Sequence, residues 1–277
     1  MTRLFGVIGH PITHSLSPAM HAAALRAMRL DALYTPFDVT PRSLPPILRA
    51  LTLAGVEGLN VTVPLKEAVL PLLDAVDPTA RAVGAVNTIV IRRRRMVGYN
   101  TDGVGFARAV NEMGRSTGAG RTVLLGAGGA ARAVAWELTR ERRAHLTIAN
   151  RHLERAQRLA RWLSLVRPRT RVRAVSLRDV QVEDADLLVN ATTVGMRAGD
   201  GCPIDPSTLQ RRTAVYDLVY HRETALVRAA RRRGCVAAGG LSMLLYQGAE
   251  SLRLWLHRPP SLEVMRTALQ DAIGVRY

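Results

Sequence analysis

Apolar residues along the chain switch between strand and helix spacing, and the switches outline its elements. Val7–Gly9 closes a short apolar run and reads as the end of a strand. Pro18 opens a helical pattern through Met20, Ala24, Leu25 and Met28. Leu33–Val39 then alternates as a second strand, and Ser43–Leu53 returns to helical spacing. Gly58–Val63 reads as a third strand closed by Pro64. A helix is expected over Lys66–Leu73, because proline is accepted where a helix begins. Ala85–Ile91 and Met96–Tyr99 pattern as a hairpin around a run of arginines. Strand and helix alternate throughout this first third, which predicts an α/β layer.

From Thr101 a helix through Phe106, Val110 and Met113 leads out of that region, and the Gly/Ser/Thr-rich stretch 114–120 is a turn. Strands are expected at Thr122–Leu125, His145–Ala149, Val172–Val175, Asp186–Val189 and Val215–Val219, with helices at Ala130–Leu138 and Leu153–Leu163. This repetition predicts a doubly wound parallel sheet with helices on both faces. Two helical stretches, Ser242–Leu256 and Leu262–Ile273, finish the chain.

A length of 277 residues suggests two domains. No stretch is apolar enough to span a bilayer, and the first residues lack the pattern of a secretory signal. The two cysteines, Cys202 and Cys235, lie in unlike contexts without metal-ligand spacing, which points to a reducing cytoplasm and no zinc site. A formal charge of +17 raises the question of nucleic acid. The arginines are scattered, however, with dense runs only at Arg92–Arg95 and Arg231–Arg233, and aromatic residues make up 4% of the chain. That leaves little for base stacking, so the charge reads as solvated faces that also steer an anionic ligand. Of the 39 basic residues only Lys66 is a lysine. A guanidinium stays protonated, whereas an ammonium can release its proton when its surroundings demand it. A site needing a compact, titratable cation would hold this position against replacement by arginine.

The expected strand Thr122–Leu125 runs into Gly126-Ala127-Gly128-Gly129-Ala130-Ala131 and then a helix, the context that a dinucleotide-binding G-x-G-x-x-G/A turn requires. Gly126 would permit the tight turn and Gly128 the approach of a pyrophosphate, while Ala131 lets the helix pack closely against the sheet. The next strand ends at Asn150-Arg151, with Arg155 one turn on. No carboxylate stands there to bind ribose hydroxyls, and two guanidinium groups are available for a 2′-phosphate, so the expected cofactor is NADP.

Four segments carry polar residues where an otherwise apolar fold would not need them: His14–Pro18, Asn60–Lys66, Gly84–Thr88 and Gly98–Gly103. Helix capping explains single residues such as Ser17 or Asn100. It does not explain a solitary lysine together with an asparagine and an aspartate. With SLSP, NVTVPLK, GAVNT, GYNTDG, GAGGAARA, NATTVGM and GGLSMLLYQGA in this order, the chain resembles the shikimate dehydrogenase family from about Phe5 to Trp255. The resemblance implies an α/β substrate domain, 1–103 with 241–277, and a Rossmann domain, 104–240. It also implies reversible reduction of 3-dehydroshikimate to shikimate by NADPH, within chorismate and aromatic amino-acid biosynthesis. Ser15 and Ser17 would hold the substrate carboxylate. Thr62, Asn87 and Gln247 would bind its hydroxyls or ring, with Tyr220 nearby, and Lys66 and Asp102 would form the catalytic pair. Gly126, Ala127, Gly128, Gly129 and Ala130, with Asn150, Arg151, His152 and Arg155, would hold NADP, and Leu218 and Gly240 would line the nicotinamide region.

Departures from the family pattern are His152 where threonine is frequent, the shorter YHRETAL segment after Tyr220, and Gly239 where aspartate is frequent. A quinate/shikimate dehydrogenase using NAD would call for an acidic residue at Asn150 or Arg151. A methylenetetrahydrofolate dehydrogenase would not need HSLSP or NTDG. A nucleic-acid-binding protein on this scaffold would not need Lys66, Asp102 and the glycine turn together. Whether the chain forms a homodimer is left open.

Overall fold

The chain begins with the strand β1 (Arg3–Gly9), the helix α1 (Ser17–Ala27) and the strand β2 (Ala32–Asp38). The computed structural model describes residues 2–118, 120–140 and 144–274. After α2 (Leu44–Leu53) and β3 (Val56–Val61) come β4 (Ala75–Val76), α3 (Pro78–Val83), and the hairpin β5 (Thr88–Arg92) and β6 (Arg95–Tyr99). These strands form one mixed sheet in the order β2-β1-β3-β5-β6-β4. β1 runs parallel to β2 and β3, and β5 runs antiparallel to both β3 and β6. The ends of β1, β3 and β6 and the start of β5 therefore share one edge of the sheet. Its core packs Ile8, Leu59, Val61 and Ile89 against Leu44 and Leu48 of α2.

Where a helix is expected over Lys66–Leu73, the chain instead makes turns and a single 3-10 turn at Leu70–Leu72. The cause is Pro71, which has no N–H to give and whose ring would strike the carbonyl four residues back in an α-helix. The helix of this region is α3. Asp77 caps it by accepting from the Thr79 and Ala80 N–H groups, Pro78 occupies its first turn, and Gly84 closes it with a φ of 69°. The run Arg92–Arg95 is the tip of the β5–β6 hairpin, with Arg93 and Arg94 at φ values of 49° and 62°.

Helix α4 (Asp102–Glu112) leads to the second sheet. Its elements follow as β7 (Arg121–Leu125), α5 (Gly129–Leu138), β8 (His145–Asn150), α6 (Leu153–Val166), β9 (Arg171–Ser176), β10 (Leu187–Asn190), β11 (Ala214–Asp217), α7 (Ala225–Arg232) and β12 (Ala237–Gly239). All pairs in the sheet are parallel, in the order β12-β11-β10-β7-β8-β9. This is the expected doubly wound arrangement, with the order reversing between β7 and β10. The arginines 231–233 end α7, where cations complement the helix dipole, and Arg231 also pairs with Glu223 at 2.8 Å.

Two helices close the chain, α8 (Leu241–Leu256) and α9 (Leu262–Ile273). The chain divides into two compact units, Met1–Gly105 with Leu244–Tyr277, and Phe106–Met243. In the first unit α9 packs on α1, and Trp255 of α8 stacks on Phe5 and donates to the Ile89 carbonyl at 2.9 Å. Among the described residues no helix is long and apolar enough to cross a membrane.

Candidate functional site

Topology alone brings several of the polar segments to one edge of the first sheet. Asn60 pairs across to Thr88, which pairs across to Tyr99, so Thr62 and Lys66 after β3, Asn87 before β5 and Asp102 after β6 become neighbours. Main-chain bonds then fix the segments. The Asn87 N–H donates to the Tyr99 carbonyl, and the Val86 N–H to the Lys66 carbonyl. Asn100 accepts the Asp102 N–H at 3.1 Å and donates to the Ala85 carbonyl at 2.9 Å, which settles how α4 begins. Ser17, by contrast, makes no cap on α1. Its own N–H donates to Ser15 Oγ at 3.3 Å.

At the centre, Lys66 Nζ donates to Asp102 Oδ2 at 2.6 Å, with side chains 14% and 6% exposed. The other carboxylate oxygen, Oδ1, accepts from Asn87 Nδ2 at 2.7 Å. Asn87 Nδ2 also lies 3.2 Å from Gln247 Oε1 of α8 and 2.9 Å from Thr101 Oγ1. Of the predicted site residues, Lys66, Asp102, Asn87 and Gln247 thus form one hydrogen-bonded cluster. Ser15 and Ser17, at the start of α1, and Thr62, just past β3, make no direct bond to it among the described residues. The cluster also includes residues that carried no role in the sequence. Thr88, Thr101, Ser251 and Asn60 are buried among its members, and Asn60 accepts from the Tyr34 hydroxyl at 2.7 Å. For Ser251 the available signal was its place four residues after Gln247, on the same face of a mostly apolar helix.

The second unit carries the remaining residues at the carboxyl ends of its strands. Gly126 ends the β7 turn with a φ of 109°, and a Cβ there would lie 2.7 Å from the Ala191 carbonyl oxygen, so only glycine fits. Ala127 follows in the turn, Gly128 caps α5 with open space beside it, and Gly129 and Ala130 form the first helical turn. Asn150 ends β8 and donates to the His152 carbonyl at 2.9 Å, shaping the entry to α6. His152 is the N-cap residue of α6 but makes no side-chain cap, so the first N–H groups of that helix are left to other acceptors. Arg151 and Arg155 are exposed, and neither has a carboxylate partner among the described residues. Donor N–H groups, a helix N-terminus and two unengaged guanidinium groups fit a phosphorylated dinucleotide.

Leu218 donates its N–H to the Asn190 carbonyl, and Gly240 lies so close that a Cβ there would collide with the Leu218 carbonyl oxygen. Beneath them the wholly buried Asp217 accepts from Asn190, the Val219 N–H and Thr224, and burial pushes its carboxyl above the usual range. Tyr220 is half-buried in the same loop, and burial raises its phenol as well. No group of three or more His, Cys, Asp or Glu is placed to hold a metal among the described residues.

Three family models match this chain: the shikimate dehydrogenase substrate-binding domain over residues 7–89, shikimate/quinate 5-dehydrogenase over 108–196, and the shikimate 5′-dehydrogenase C-terminal domain over 240–270. A shikimate dehydrogenase (NADP(+)) of Moorella thermoacetica is 47% identical over 99% of this chain and 94% of its own length. A crystal structure of a shikimate dehydrogenase in complex with NADP+ superposes with a TM-score of 0.91 at 37% identity, covering 98% of this chain and 96% of the other. The enzyme of Thermus thermophilus, in complex with NADP(H) and shikimate, gives 0.88 at 39% identity over 98% and 99% of the two chains. By its sequence, its fold and the models it matches, this chain belongs to the shikimate dehydrogenase family.

Proposed function

We propose that the chain catalyses the reversible NADP-linked reduction of 3-dehydroshikimate to shikimate, with Lys66 and Asp102 handling the proton. The observation that carries this is the nearly buried Lys66–Asp102 pair at 2.6 Å, in the one place where this arginine-rich chain keeps a lysine. NADP, when bound, supplies or accepts the hydride. Reduction places negative charge on the carbonyl oxygen of the substrate. The Lys66 ammonium stabilises that charge and then donates a proton to it, and in the reverse direction neutral Lys66 takes the proton of the hydroxyl. Asp102 holds Lys66 by Oδ2 while Asn87 fixes its Oδ1, so the carboxylate cannot swing away from the ammonium.

Ser15 and Ser17, at the start of α1, hold the substrate carboxylate through their hydroxyls. Thr62, Asn87 and Gln247 bind its hydroxyls and ring, and the family resemblance assigns Tyr220 to the substrate as well. Gly126 to Ala130 bind the pyrophosphate, while Asn150, Arg151, His152 and Arg155 surround the 2′-phosphate. Leu218 and Gly240 line the nicotinamide. The two unpaired cysteines, Cys202 and Cys235, suit a reducing cytoplasm.

The test is a four-arm assay of the purified chain with shikimate or quinate and NADP or NAD. Turnover of shikimate with NADP at more than tenfold the kcat/KM of any other arm supports the proposal. Preference for quinate or for NAD would replace it with the quinate branch.

A further inference from the structure

Two hydroxyls in the buried cluster have no part in the chemistry above. Thr88, the first residue of β5, and Ser251, one turn beyond Gln247 on α8, are wholly buried with their oxygens 2.8 Å apart. Backbone groups of fixed polarity assign the donors around them. The Thr101 N–H donates to Asn87 Oδ1 at 2.8 Å, which turns the Asn87 NH2 towards Asp102 and Gln247. Gln247 Nε2 donates to the Leu244 carbonyl at 2.9 Å, so its Oε1 must face Asn87. Ser251 accepts from Asn60 Nδ2 at 2.9 Å and spends its single proton on the Gln247 carbonyl at 3.0 Å. Thr88 Oγ1 thus bonds Ser251 Oγ at 2.8 Å and also donates to Asn87 Oδ1 at 3.1 Å.

The result is a hydroxyl bridge that links Asn87 and Thr88 through Ser251 to the Gln247 carbonyl. It lies under the 3.2 Å contact with Gln247, the longest of the three that Asn87 Nδ2 makes. Thr88 opens β5 directly after Asn87, and Ser251 bonds the main chain of Gln247, so the pair ties together the two segments that carry these amides.

We propose that the Thr88–Ser251 hydroxyl pair is a positioning element for substrate binding, setting α8 against β5 so that the Gln247 and Asn87 amides meet the substrate. It rests on the assignment of Asn87 and Gln247 to the substrate. Neither hydroxyl touches the reacting atoms. Its loss therefore weakens substrate binding and leaves NADP binding alone, whereas a merely structural role would loosen the unit without that separation.

Thr88→Val removes the hydroxyl and keeps the shape, Thr88→Ser keeps the hydroxyl, and Ser251→Ala removes the partner. For each, KM for shikimate, kcat, the NADP dissociation constant by calorimetry and Tm are measured. Thr88→Val and Ser251→Ala are expected to raise KM for shikimate about tenfold, as for one net buried hydrogen bond. Thr88→Ser should stay within about twofold of the parent, as should NADP affinity throughout. A KM in Thr88→Val within about twofold of the parent overturns the proposal. So does an equal rise in Thr88→Ser, or a matching loss of NADP affinity. If Thr88→Val does not fold, Ser251→Ala decides on the same readings. A parent that turns over no shikimate with NADP overturns the dehydrogenase assignment and this proposal with it, while an active parent with unaltered variants overturns this proposal alone.

Discussion

Lys66 Nζ lies 2.6 Å from Asp102 Oδ2, and the pair is almost wholly withdrawn from water. Two charges in such a place hold each other, and removing either leaves the other uncompensated. Lys66→Arg keeps a cation but substitutes a planar group that does not give up its proton. It should lower kcat for shikimate by about 10²–10⁴, the worth of a general acid, while NADP binding stays near that of the parent. Calorimetric NADP titration beside steady-state kinetics checks both. A guanidinium variant that turns over shikimate at the parent rate would remove Lys66 from the proton chemistry.

Arg151 stands at the end of β8 with no carboxylate partner among the described residues. Arg151→Ala should raise KM for NADP about 10–100-fold, as expected for a lost charge-assisted hydrogen bond to phosphate. KM for NAD should hardly change. Equal losses with both cofactors would dismiss a contact with the 2′-phosphate.

Gly240 leaves no room for a Cβ against the Leu218 carbonyl. Gly240→Ala should displace that loop at a cost of about 1–3 kcal/mol in chemical denaturation, and weaken NADP and NAD binding by the same factor. That outcome contrasts with the selective loss expected at Arg151. Unchanged binding of both cofactors would show that this loop does not line the nicotinamide.

His21 is wholly buried, stacked 4.3 Å from the Tyr34 ring, and neither ring nitrogen has a hydrogen-bond partner among the described residues. Burial lowers its pKa from 6.5 to about 3. Above pH 6.5 neither folded nor unfolded chain carries this proton. Between 6.5 and 3 only the unfolded chain does, so stability drops as the pH is lowered through that window, by about 1.4 kcal/mol per unit from this residue. His21→Phe should flatten the decline in urea denaturation followed from pH 7 downward. An identical slope in parent and variant would mean that His21 is protonated in the folded state.

The sequence made the fold legible where apolar spacing was long and regular, as in α6, α8, α9 and the strands β7 to β11 of the second sheet. It misled where short-range rules competed. Pro71 broke the helix expected over Lys66–Leu73, while the Asp77-Pro78 start and Gly84 stop of α3 enclosed only six residues, too few for periodicity to register. Helix α7 and strand β12 went unseen because Leu226 and Val227 are adjacent rather than helically spaced, the rest of α7 is alanine and arginine, and β12 is Ala-Ala-Gly. At the site, Lys66 stood out by its solitude and Asp102 by its motif. Ser251 offered only its spacing from Gln247, since its partners Asn60 and Thr88 lie 191 and 163 residues away along the chain and only folding brings them together. Nothing in the sequence marks His21, because the lack of a partner is a property of the packed interior.

The most direct measurement is the turnover of shikimate with NADP by the parent and Lys66→Ala, followed by the absorbance of the reduced nicotinamide, with NADP affinity measured on the same preparations. Oxidation by the parent, loss of nearly all turnover in the variant and unchanged NADP affinity are expected. Turnover by Lys66→Ala close to the parent rate would contradict the role given to the ammonium.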